Sequence, residues 1–161
     1  MIESPTDFVD GFTKAALLAS LIQTPPILTH ELLQAPHRPP SSMPPDQCAV
    51  YVFSLSSRYG QSCPAGPNRV LKVGKVGAKS TARFCSQHYL PNSANSNLAK
   101  SLLNERVLWP YLGITNLDEL NVKDWMLANL DRDHIFVPQN FGLEREIERF
   151  FRGRLGPVFE G

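Results

Sequence analysis

Ala49-Val50-Tyr51-Val52-Phe53 and Leu71-Lys72-Val73-Gly74-Lys75-Val76 are the two stretches on which the reading of this chain turns. Both are short and rich in β-branched residues, the composition of half-buried strands. Working outward, apolar spacing and turn signals predict strands over 48–55 and 69–76, then helices over 80–88 and 95–108. A Pro/Gly connection, a helix over 121–130, a strand over 134–138 and a final helix over 142–155 follow. Leu98, Leu102, Leu103 and Val107 form the apolar stripe of the second long helix. Leu143, Ile147, Phe150 and Phe151 form that of the last, with Arg145, Glu146, Arg149 and Arg152 outside it. The order ββααβα with one additional helix describes a small mixed domain.

The segment before these strands reads differently. Residues 7–22 carry Phe8, Phe12, Ala15, Ala16, Leu18 and Ala19 at helical spacing, and the pattern stops before Pro25-Pro26. A short apolar patch over 27–33 leads into a linker with Pro36, Pro39, Pro40, Pro44 and Pro45, a density that favours extended, semi-rigid chain. The expected division is therefore 1–47, an N-terminal helix and proline-rich linker, and 48–161, the folded domain.

The net charge of +1 divides along the same line. Residues 1–47 hold two basic and five acidic groups (−3), and residues 48–161 hold fourteen basic and ten acidic (+4). Between Arg58 and Arg83 the chain carries Arg58, Arg69, Lys72, Lys75, Lys79 and Arg83 and no acid, the electrostatic footprint of a phosphate-binding face. The alternative is a solvated face whose acids come from elsewhere in the fold. No run of uncharged apolar residues is long enough to span a membrane. The start lacks the pattern of a secretion signal. Cys48, Cys63 and Cys85, without a Cys-x-x-Cys pair, suit a reducing interior. A cytoplasmic protein is the expectation.

The order of polar residues on these elements resembles the GIY-YIG nuclease superfamily. Ala49-Val50-Tyr51 stands where the first family motif has Gly-Ile-Tyr, and Lys72-Val73-Gly74 where the second has Tyr-Ile-Gly. Arg83-Phe84-Cys85-Ser86-Gln87-His88 resembles the family's Arg…Gln-His helix, and Glu148 precedes Pro157 by nine residues, the spacing of the closing motif. The resemblance covers residues 48–161. Lys72 in place of the second tyrosine resembles the family's restriction-enzyme branch. Residues 56–68 form an insertion, His88 follows Arg83 at i+5 instead of i+4, and Glu160 replaces a terminal asparagine.

The resemblance implies an α+β fold with one three-stranded antiparallel sheet flanked by helices. It also implies a hydrolase that cleaves phosphodiester bonds of nucleic acid, with DNA as the expected substrate. Tyr51 is the expected general base, Lys72 its modulator, Arg83 the phosphate ligand, His88 a proton relay, and Glu148 the ligand of Mg²⁺ (or Mn²⁺). Arg58, Arg69, Lys75, Lys79 and Gln87 are the expected nucleic-acid contacts. The residue types suit this chemistry independently. A phosphodiester needs an activated water, neutralised oxygens and a stabilised leaving group. A carboxylate holds a hard divalent cation, and arginine forks onto phosphate oxygens better than lysine. A phenol becomes a base only when nearby positive charge lowers its pKa from about 10.

Each residue also has a plainer reading. Tyr51 is a strand packing residue, Lys72 and Lys75 are the polar half of an alternating strand, and Glu148 or Glu144 is a helix partner for arginine. Glu144 is the alternative metal ligand. Two competing motifs fail. Gly74-Lys75-Val76-Gly77-Ala78-Lys79-Ser80-Thr81 lacks the spacing of a P-loop. Asp131, Asp133 and His134 read as a helix-to-strand turn and not as a metal cluster. Two other functions stay open: a nucleic-acid-binding module of the same fold without cleavage, and a docking role for the N-terminal helix. In the latter, Phe8, Phe12, Leu18 and Ile22 would face a partner protein or a second copy.

Overall fold

The computed structural model describes residues 5–18, 27–94 and 97–159. In chain order the elements are α1 (Pro5–Leu18), β1 (Thr29–Leu33), β2 (Gln47–Leu55), α2 (Ser57–Gly60), β3 (Val70–Val76) and α3 (Thr81–Cys85). They continue with α4 (Leu98–Asn104), α5 (Trp109–Leu112), α6 (Val122–Asn129), β4 (Leu130–Pro138) and α7 (Glu144–Leu155). Short 3-10 turns cover Gln87–Tyr89, Arg106–Leu108 and Gln139–Phe141.

The four strands form one antiparallel sheet in the order β1-β4-β2-β3, so the fold is α+β with a four-stranded sheet in place of the expected three. The additional strand is β1, which the sequence reading left in the N-terminal segment. It pairs with β4 from Thr29↔Phe136 to Leu33↔Arg132. Two side-chain rungs reinforce it. His134 Nδ1 and Glu31 Oε2, on directly opposed residues, are 3.0 Å apart, and His30 Nε2 lies 2.7 Å from Asp133 Oδ1.

The proline-rich stretch is also tied down. Ala35 N–H donates to Asp131 Oδ1 at 2.8 Å, and His37 N–H donates to the Leu127 carbonyl at 3.0 Å. The expected division near residue 47 thus falls between two strands of one sheet.

Strand β2 lies at the centre and is buried along almost its whole length, which explains its near-continuous apolar run. Ala49, Tyr51, Phe53 and Leu55 point into one core with Phe84, Tyr89, Leu98, Leu102 and Met126. Val50 and Val52 point into the other with Val73, Ile135, Ile147 and Phe151. Helix α7 supplies that second layer. Its first turn carries Glu144 and Glu146 and its last Arg152 and Arg154, an arrangement favoured by the helix dipole. Gly156 closes it in the left-handed conformation (φ 52°). The chain then returns along the sheet edge, with Val158 and Phe159 N–H groups donating to the Val70 and Leu71 carbonyls.

Several expectations need correction. Asp131, Asp133 and His134 lie inside β4, which begins at Leu130. Their polar side chains pair with β1 and its connection, so a polar stretch masks a real strand. The helix expected over 80–88 is an α-helix only to Cys85, and that over 95–108 breaks at Glu105. Val107 is exposed and not part of a buried stripe, because the 3-10 turn rotates it outward.

In α1, Phe12 is buried, its ring edge-on to Phe150 at 5.8 Å, so it does not face solvent as a docking residue would. The side chains of Phe8 and Leu18, together with Ile22 and Glu160, lie outside the described residues. No described helix is long and apolar enough to cross a membrane.

Candidate active site

Tyr51 sits in mid-β2, paired with Gly74 of β3 on one side and His134 of β4 on the other. Two residues on, Phe53 pairs with Lys72 and with Arg132. Directly opposed and alternate residues share a face, so Tyr51, Lys72, Arg132 and His134 all point to the same side of the sheet. The Tyr51 ring lies over Gly74, which only a residue without a side chain permits: a β-carbon there would be 2.1 Å from the phenol oxygen.

Helix α3 and the following 3-10 turn close over this face. Ser86 (φ −133°, ψ −32°) ends the helix and turns the chain, which absorbs the one-residue excess between Arg83 and His88. His88, and not Gln87, is turned inward. Its ring centroid lies 4.3 Å from that of Tyr51 and 5.7 Å from that of Phe53, and the residue is fully buried. Neither imidazole nitrogen has a hydrogen-bond partner among the described residues. Burial, with the charges of Arg132, Arg83 and Lys72, holds His88 neutral, its pKa lowered to about 2. Near pH 7 the ring is therefore neutral, and an acid–base role for His88 would have to run through the uncharged imidazole.

Glu148 reaches the same region from α7, at the edge of the sheet formed by β3. Its Oε1 accepts from Arg152 Nη2 at 3.1 Å, and Arg152 also reaches the Val73 carbonyl at 3.5 Å. Lys72 is buried and feels Arg152, Arg83 and Glu148; burial first, then the two arginines, lower its pKa, while Glu148 opposes them. Arg152, Arg83 and Glu148 therefore all act on Lys72, and Glu148 is ion-paired with Arg152.

The Tyr51 phenol is pushed the other way. Burial raises its pKa and outweighs the charges of Arg83 and Arg132. Arg83 is close enough to act on the phenol, yet among the described residues the hydroxyl makes no hydrogen bond of good geometry and Arg83 Nε has no partner. Lys72, the expected modulator of the phenol, is not among the cations acting on it, which are Arg83 and Arg132.

The structure thus brings Tyr51, Lys72, Arg83, His88 and Glu148 together. The remaining candidates spread out. Arg69 flanks β3 where its carbonyl accepts from Leu55, whereas Lys75 pairs with Val50 near the other end, six residues or about 20 Å along the strand. Arg58, on α2, lines a shallow cleft with Ala35, Pro36 and Asn129. Lys79 is exposed in the turn before α3. Gln87 is half-buried, its carbonyl accepting from Leu90 N–H and the Ser93 hydroxyl. Glu144, one turn before Glu148, acts with Lys75 on Cys48, and its Oε2 is buried without a partner among the described residues. Among the described residues no three His, Cys, Asp or Glu side chains gather as a metal cluster.

Two residues of this site escaped the sequence reading. Arg152 looked like one more solvated helix arginine. Arg132 looked like part of a polar turn, yet it is fully buried, with its guanidinium 5.0 Å from the ring centroids of Phe53 and Phe84 and 5.7 Å from those of Tyr51 and Tyr89. The one available signal was its alternation with Leu130, His134 and Phe136 along a strand. No family model, curated protein or solved structure matches the chain.

Proposed function

We propose that this chain is a divalent-metal-dependent endonuclease of GIY-YIG type, acting on nucleic acid, with DNA as the expected substrate. The observation that carries the reading is the gathering of Arg83, Arg152 and Glu148 around Lys72, with Arg83 and Glu148 also acting on Tyr51. Two arginines and a lysine within electrostatic reach of one another form a patch where a phosphate would be stabilised. The strand–strand–helix order from Gln47 onward, with the first strand central, supports the family reading.

The Glu148 side chain retains 14% exposure and offers one hard oxygen site. That fits Mg²⁺ or Mn²⁺ bound mainly by water and substrate phosphate. Glu148 would hold the ion, which when bound stabilises negative charge on the leaving oxygen. Arg83 binds phosphate oxygens. Arg152, released from Glu148, shares that role. Tyr51 orients the attacking water, and the water's proton passes to the Tyr51–Lys72 pair. Burial raises the phenol and lowers the amine, so each is biased toward its neutral form. The fraction of Lys72 present as the neutral amine is the acceptor. His88 packs against Tyr51 as a neutral ring and fixes its orientation.

A second reading, a binding module without cleavage, is favoured by one feature: Arg152 already occupies Glu148. Cleavage of supercoiled plasmid with Mg²⁺, wild type beside Glu148→Gln, separates the two. Metal-dependent cutting by the wild type, lost in the variant with DNA binding retained, supports the nuclease. Binding without cutting by both proteins supports the module.

A further inference from the structure

We infer that Arg132 is a positioning residue: from β4 it clamps both ends of the Arg83–His88 segment, and so sets where Arg83 and His88 stand against Tyr51. Its Nη2 donates to the carbonyl of Phe84, the residue after Arg83. Its Nη1 donates to the hydroxyl of Tyr89, the residue after His88, at 3.2 Å. The Tyr89 hydroxyl is in turn 3.3 Å from His37 Nε2, to which it can give its own proton, since burial and the Arg132 charge keep His37 neutral. One guanidinium thus ties two turns of the lid to the sheet and, through Tyr89, to the proline-rich stretch.

The segment needs such a clamp. Helix α3 has five residues, no side-chain cap at Ser80 and a break at Ser86, so it has little stability of its own. The clamp also needs arginine. A planar fork reaches two acceptors while its faces stack on rings, and an ammonium does not.

Arg132 makes no ion pair among the described residues, and its Nε is unpartnered. Burying an unpaired cation is costly, and an apolar side chain in the same ring cage would serve stability as well. Placement of the lid accounts for the cation where stability does not.

The catalytic part of this inference rests on the nuclease reading, so the test has two readouts. Arg132→Met and Arg132→Lys are compared with wild type by amide hydrogen exchange over residues 81–90 and by cleavage kinetics. In Arg132→Met, exchange over 81–90 rises about tenfold or more while β2 stays protected, a local loosening. Its kcat falls about 100-fold, as expected for a misplaced phosphate ligand, with KM nearly unchanged. In an Arg83→Ala background the further loss shrinks to about threefold or less, because both changes remove one effect. Arg132→Lys shows the same loosening, and serves alone if the methionine variant does not fold.

Unchanged exchange over 81–90 in a folded variant overturns the clamp. Loosened exchange with full kcat overturns the link to catalysis. If the wild type cuts nothing, the nuclease reading fails, and the exchange result alone decides the clamp.

Discussion

The Tyr51 ring lies across the backbone of Gly74 on the neighbouring strand, so close that a β-carbon at that position would fall 2.1 Å from the hydroxyl oxygen and 2.3 Å from the ring carbon bearing it. The contact places the phenol toward the β3 edge where Lys72 and Glu148 meet. It also explains why a strand otherwise made of Val, Leu and Lys carries a glycine at its centre.

Gly74→Ala should therefore displace Tyr51 instead of merely stiffening the strand. Overpacking of this kind costs about 1–3 kcal/mol, and a shift of about 1 Å in a catalytic group costs about 100-fold in rate. Urea unfolding and plasmid cleavage measure the two effects. A variant with wild-type activity would show that the phenol is not needed where it stands.

Lys72 offers a sharper test of the proton path. Its pKa lies below the usual 10.5, so the neutral amine forms as pH rises through that lowered value, and the cleavage rate should climb and then level off there. Lys72→Arg keeps the charge but cannot give up its proton near neutral pH. A loss of about 100-fold or more, typical of removing a general base, is expected in Lys72→Arg as in Lys72→Met. Retained activity in the arginine variant would assign Lys72 a purely electrostatic role.

Acid should destabilise the fold through its buried histidines. His88 and His134 are neutral in the native state, with pKa values lowered to about 2, and titrate near 6.5 when unfolded. Between those values the unfolded chain binds more protons, so stability falls as pH drops below 6.5, by up to about 1.4 kcal/mol per pH unit for each ring. The urea midpoint at pH 5 should lie clearly below that at pH 7.5. His88→Phe should remove about 1.4 kcal/mol per pH unit of that slope, the share of one ring, leaving those of His134 and His37; an unchanged slope would show that His88 is not buried neutral.

The outer face of α7 presents Arg145 and Arg149, exposed, one turn apart and without an ion pair among the described residues, in line with Arg152. If this face carries nucleic-acid backbone, replacing both by Gln should lower the slope of log affinity against log salt by about 1.8, two phosphates at about 0.9 each. Arg58→Gln, on the distant α2 cleft, should leave the slope unchanged. Equal effects from both variants would indicate diffuse charge attraction without a track.

The strands over 48–55 and 69–76, the last helix and the position of Glu148 were legible because burial of one face imposes a period that local sequence displays. Strand β1 was not. Thr29–Leu33 reads Thr-His-Glu-Leu-Leu, with two polar residues whose value as strand partners appears only opposite Asp133 and His134. The inward turn of His88 was hidden for a similar reason. A regular helix through residue 88 turns Gln87 inward, and the break at Ser86 is driven by packing of Phe84, His88 and Tyr89 against the sheet.

By itself, then, the sequence determined the two central strand segments and the last helix, where the one-sign charge lies, and the order of residue types on which the proposed site rests. Tertiary structure alone decided that a fourth strand joins the edge, that Arg132 is sealed among four rings, that Arg152 meets Glu148, and that burial raises the Tyr51 phenol while lowering the Lys72 amine. The physical reason is range. Periodicity is a local property of the chain, whereas burial and the company of charges depend on residues tens of positions apart.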